Sequence, residues 1–109
     1  MAITDLLQGT LDMMILKALS RGPLHGYAVA RWLEQATDDA LRVEEGTLYP
    51  ALYRMEQRGW LSAEWGMTER NRKAKFYKLT RLGRKQLEAE SSSWARTSAL
   101  VAKVMQTAE

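Results

Sequence analysis

Cysteine is absent from the 109 residues, which removes disulfides, thiol nucleophiles, iron–sulfur clusters and thiolate zinc sites together. Such a sequence fits a reducing compartment. Histidine occurs once, so a histidine-rich metal site is excluded and a Ser-His-Asp arrangement would have to be built on His25. Glycine-rich phosphate loops are missing too. No run approaches the roughly 18 apolar residues of a membrane span, and the start MAITDLLQ has no basic stretch of the kind that opens a signal peptide. The expectation from these absences is a cytoplasmic protein with no enzyme activity, metal, cofactor or membrane attachment.

What is present is enough for one core: 46% of the residues are hydrophobic and 27% charged, over a length that suits a single domain. So small a domain is only marginally stable alone, which favours help from a second subunit. The net charge is only +3, but it is unevenly placed. Between Arg70 and Lys85 lie eight basic residues and no acid, and the remainder holds 8 basic against 13 acidic residues. Clustered Lys and Arg on a mildly acidic body suit a polyanion, because they release counterions condensed on phosphates. A solvated basic loop would look the same by charge alone.

Residues 9 to 21 place Leu11, Met14, Ile15, Ala18 and Leu19 at helical spacing, and Gly22-Pro23 ends that helix. A second helix is expected from His25 to Ala36, burying Val29, Leu33 and Ala36. Leu41-Arg42-Val43 reads as a short strand. A third helix runs from Gly46 to Arg58 with Leu48, Leu52 and Met55 inward and Gly59 as its stop; Pro50 requires its first turn to lie close to Gly46 and Thr47. The period then becomes two, with Leu61, Ala63 and Trp65 on one strand and Lys75, Tyr77 and Leu79 on the next. The charged segment from Gly66 to Lys73 is the tip of this hairpin. Thr80 can cap a last helix from Arg81 to about Thr107, roughly 40 Å long at 1.5 Å per residue, which must project from the body.

These elements predict an α+β, mostly helical chain. A winged helix-turn-helix over residues 1–80 precedes a long dimerisation helix over residues 81–109. In that architecture the third helix enters the major groove of double-stranded DNA and the hairpin follows the backbone. Candidate contacts are Thr47, Tyr49, Pro50, Tyr53 and Arg54 on the helix, and Arg70, Arg72, Lys73 and Lys75 on the wing. Tyr49 and Tyr53 equally fit packing against the hairpin, and Arg54 could instead pair with Glu45 or Glu56. His25, at a helix start where free N–H groups favour anions, is a further phosphate candidate. On the last helix Leu87, Trp94 and Val101 repeat every seven residues and are joined by Met105. With Leu11 of the first helix they form the expected homodimer interface.

The segments GTLDMMILKAL, LHGY, VEEGTLYPALYRMEQRGWL and KFYKLTRLGRKQL resemble, in the same order, those of the PadR family of bacterial transcriptional regulators, over about residues 5 to 87. One helix after the wing is similar to the short-tailed branch. The resemblance implies a homodimeric repressor that releases DNA when a small molecule or another signal arrives. It also implies that Trp94 stacks on a planar aromatic effector between subunits, with Leu6, Met13, Lys17 and Ser98 as lining positions. Lys17 and the uncharged Ser98 depart from the members that bind cationic drugs. Architectural nucleic-acid binding without sequence preference, or a winged helix used for protein contact, are the rival readings.

Overall fold

The structure is a computed structural model that describes residues 1–2 and 7–108. Its elements are α1 (Gln8–Ala18), β1 (Leu24–His25), α2 (Gly26–Ala36), α3 (Glu45–Gln57), β2 (Leu61–Met67), β3 (Lys73–Leu79) and α4 (Arg81–Gln106). Leu11, Ile15, Leu16, Val29, Leu33, Leu48, Leu52 and Met55 from the first three helices meet Leu61, Tyr77 and Leu79 from the sheet in one buried core. The α+β winged helix with a long last helix is therefore the fold, as its sequence implies.

Two local expectations are corrected. The third strand is not Leu41–Val43 but Leu24–His25, which pairs antiparallel with β3 and gives the sheet order β1-β3-β2. Pro23 cannot extend α1 and leaves the next two residues extended beside β3. The 41–43 segment has other partners for its backbone. Leu41 N–H donates to Thr37 Oγ1 at 3.2 Å, Val43 N–H to Glu34 Oε2 at 3.2 Å, and Arg42 makes a single bridge with Ala2. Ala36, expected inward, is exposed because α2 ends there and the chain leaves through Asp38 and Asp39 in left-handed conformation.

Helix α3 starts one residue earlier than its pattern suggests, at Glu45, and Pro50 is its sixth residue, beyond the first turn. The Gly46 carbonyl thereby lacks its usual N–H partner, a cost eased by its exposed position. At the other end Gly59 adopts φ +79°, its N–H bonds the Glu56 carbonyl, and Trp60 N–H reaches back to Met55. This is the left-handed closure that glycine permits without strain. It turns the chain straight into β2.

The junction with α4 is tight. Thr80 Oγ1 donates to the Gly59 carbonyl at 2.5 Å, with the Trp60 carbonyl at 3.1 Å, and accepts from Gly83 N–H at 3.0 Å, so one hydroxyl fixes both the strand end and the helix start. A Cβ on Gly83 would sit 2.1 Å from the Trp60 carbonyl oxygen, so only glycine lets α4 approach. From there α4 runs on past the core, and the molecule measures 58 × 29 × 21 Å. No described helix is long and apolar enough to cross a membrane.

Candidate nucleic-acid interface

The hairpin carries the basic residues at its exposed turn, beyond the buried ends of its strands. Its strands pair in register from Leu61 with Leu79 to Met67 with Lys73. The turn is closed by Thr68 N–H to the Arg72 carbonyl at 2.8 Å and Arg72 N–H to Thr68 Oγ1 at 3.2 Å, with Asn71 in the left-handed conformation at φ +61°. Asparagine tolerates that conformation better than most residues. Arg70, Arg72 and Lys73 all stand in solvent around this turn. Strands extend further than expected, so the tip is only five residues, 68–72.

Lys75 is drawn back from the tip. Its ammonium donates to Glu56 Oε1 of α3 at 2.9 Å, a bond that holds the lysine above its usual pKa. The wing is thus clamped to α3 by an ion pair at the base of the exposed loop. Because this pair is partly open to water, its worth lies in orientation more than in energy.

On α3 the exposed face carries Tyr49, Pro50 and Tyr53, with Thr47 half-buried beside them. Tyr53 is 61% exposed and free to meet a ligand. Tyr49 is 42% exposed, and its ring lies against Gly26 at the start of α2, where a Cβ would come within 2.5 Å of Cε1. That contact seats the ring edge and its hydroxyl end against the start of α2. Burial, helped by Glu45, pushes the Tyr49 hydroxyl above its usual pKa, so it stays protonated and able to donate.

Arg54 corrects an expectation. Its guanidinium pairs with Asp12 on α1, not with Glu45, Glu56 or solvent, and Asp12 is the buried charged residue of the core. Burial pushes the Asp12 carboxyl above the usual carboxylate range, and the pull of Arg54 and Arg58 offsets this only in part. Arg54 therefore ties α3 to α1 and is not a free contact. Sequence reasoning missed Asp12 because an acid in an apolar helical stripe reads as a surface interruption. Its signal was position: Asp12 follows Leu11 and precedes Ile15 on the buried side.

His25 is likewise occupied. Its Nδ1 accepts from Ala28 N–H at 3.3 Å as the cap of α2, and its ring meets Phe76 edge-on at 5.2 Å. Only the other ring nitrogen is left for a phosphate. Trp65, on the same face of β2 as Leu61 and Ala63, is 64% exposed, because the core ends before the strand does.

The remaining candidates lie away from this face. Trp94 is 50% exposed on α4, with Val101 and Met105 open beyond it, whereas Leu87 packs partly on the chain's own core. Leu11, expected at a dimer interface, is only 5% exposed and belongs to that core, because its helical turn faces inward. Met13 is half-buried, Lys17 is exposed, and Ser98 Oγ donates to the Ala95 carbonyl at 3.3 Å. Leu6 lies outside the described residues. Among the described residues no group of three acidic or histidine side chains could hold a metal ion.

The arrangement is a helix with an aromatic and hydroxyl face beside a cationic hairpin, the combination used by winged DNA-binding domains. The model of the transcriptional regulator PadR-like family matches residues 15–89. The chain belongs to this family. A PadR-like transcription factor from Bacteroides fragilis is 32% identical with TM-score 0.74, over 89% of this chain and 91% of its own. A PadR family regulator from Eggerthella lenta is 31% identical with TM-score 0.78, over 96% and 89%. A transcriptional regulator from Clostridium thermocellum is 27% identical with TM-score 0.82, over 91% and 96%. An uncharacterized protein of Streptomyces fradiae transposon TN4556 is 40% identical over 90 residues, and the chain spans 24% of its length. The protein is a DNA-binding transcriptional regulator and not an enzyme.

Proposed function

We propose that the chain is a homodimeric repressor. It reads a two-fold symmetric operator through α3 in successive major grooves, with the wing on the flanking backbone. The observation that carries this reading is the junction of an exposed Tyr53 and Tyr49 face with a loop holding Arg70, Arg72 and Lys73. Thr47 and Pro50 complete the reading face, and the wing cations position the domain without specifying sequence. Lys75 and His25 support this from beneath, and Arg54 acts as a positioning residue through Asp12. Residues 1–80 form the DNA-binding unit and residues 81–109 the dimerisation helix. Trp94, Val101 and Met105 supply the apolar surface for a second copy. A planar aromatic effector would enter beside Trp94, near Met13, Lys17 and Ser98, and act only through a different affinity for two arrangements of the dimer.

Footprinting on the DNA upstream of the chain's own gene tests the reading. Expected are two protected half-sites, roughly 10 or 20 bp apart centre to centre. Tyr53→Ala should narrow the gap between operator and random DNA. Arg72→Ala with Lys73→Ala should weaken both alike and flatten the salt dependence by about 0.9 in log-log slope per lost phosphate contact. Equal protection of every sequence would instead identify an architectural binder, and no protection a protein-contact module.

A further inference from the structure

Positions 61, 63, 65 and 67 of β2 share one face of the hairpin and lie opposite Leu79, Tyr77, Lys75 and Lys73 of β3. Near the body this face is the buried core of Leu61, Tyr77 and Leu79. Beyond it, the same face continues as Trp65 and Met67, both more than half exposed. The Lys73 ammonium lies 5.4 Å from the Trp65 ring centroid, and Lys75 beside it bonds Glu56 of α3. The indole therefore stands on the side of the wing that turns toward α3. Tyr53, one turn from Glu56, is exposed on the same helix.

Phosphate binding needs only the cations and leaves this apolar plate unexplained. A tryptophan held in water beside lysines combines a flat apolar face with flanking charges that seek anions. We infer that Trp65 and Met67 are a DNA contact, packing on the deoxyribose edges of the minor groove next to the site read by α3. Lys73 and Arg72 take the phosphates on either side. The inference rests on the DNA-binding reading above and adds an apolar, shape-dependent element to its wing. The minor-groove floor offers acceptors to the indole N–H, and apolar side chains commonly wedge against its walls. Charge selects DNA over a second copy of the chain, because a two-fold contact here would bring Arg70, Arg72 and Lys73 against their own counterparts.

The test uses the full chain and a duplex it selects from a random library, with Trp65→Ala, Trp65→Phe and Lys73→Ala compared over a salt series. Trp65→Ala should lose about tenfold in affinity with an unchanged salt slope, while Lys73→Ala lowers the slope by about 0.9. Trp65→Phe should keep most of the affinity. Netropsin, which fills the minor groove, should compete with wild type and much less with Trp65→Ala. A second readout does not depend on the Ala variant folding: the DNA-induced change in tryptophan emission should be larger in wild type than in Trp65→Phe. Wild-type affinity and salt slope in Trp65→Ala, or an emission change unaffected by Trp65→Phe, would overturn the inference alone. Failure of wild type to select any duplex would overturn the DNA-binding reading and this inference with it.

Discussion

The body and the outer half of α4 are built by opposite rules. In the body every helix turns an apolar face inward, and its charged exceptions are tied: Asp12 to Arg54, Glu56 to Lys75, Glu34 to Val43 N–H. Along α4 beyond Leu87 the large apolar side chains Trp94, Leu100, Val101, Val104 and Met105 all stand exposed. One region carries its own partners and the other lacks them. A chain that spends five large apolar residues on one projecting helix has a surface suited to association, since burying such an area from water is the main favourable term in binding.

The sharpest way to break this contrast is to damage each region and ask which loss is felt by a single chain. Leu52 is fully buried where α3 meets the core. Leu52→Ala should cost about 4 kcal/mol of folding stability, read by urea or thermal denaturation. Val104→Glu, on the exposed stripe, should change the folding of a single chain little but lower the mass seen by sedimentation. If Val104→Glu instead unfolds the body as Leu52→Ala does, the two regions are one cooperative core.

Next in size is the tie between α1 and α3. Arg54→Ala leaves Asp12 buried without its cation and should cost about 3 kcal/mol, near the lower end for a broken buried pair because Arg54 is partly exposed. Adding Asp12→Leu should recover much of the loss. A variant that keeps its stability but loses operator specificity would return Arg54 to the DNA face.

The border between the regions comes third. Gly83→Ala pushes a methyl group onto the Trp60 carbonyl and should cost about 2 kcal/mol as an overpacked contact. Since α4 must shift to admit it, any self-association seen by sedimentation should fall with stability. An unchanged melting temperature would mean that the junction is looser than its geometry.

What could be read from the residues beforehand divides along the same line. Helix periods, the Gly59 stop, the Thr80 cap and the two-residue alternation of the wing are local signals, and each element stands close to its expected place. Long-range facts were not local and so were not legible. Nothing in Leu24-His25 announces pairing with Tyr77 and Phe76. Nothing in the pattern of α3 says that Arg54 meets a residue 42 positions earlier. The exposure of Trp65 was not legible for the same reason: alternation tells which face a side chain takes, but not where along the strand the core stops.

The smallest effect concerns the sign of the Asp12 contribution. Its carboxyl is raised above its ordinary value because desolvation outweighs the attraction of Arg54. A folded-state pKa above the unfolded one means that the folded chain holds this proton more tightly. This group's contribution to stability is then greatest below the unfolded value and declines as pH rises through the folded one. Asp12→Asn keeps a polar partner for Arg54 but cannot titrate. Denaturation of wild type and Asp12→Asn across the carboxylate range, roughly pH 4 to 6, isolates the group. Wild type should lose stability relative to the variant as the pH is raised. The opposite slope would mean that Arg54 outweighs burial, making the pair a net source of stability, and the cost expected for Arg54→Ala would then have to be revised upward.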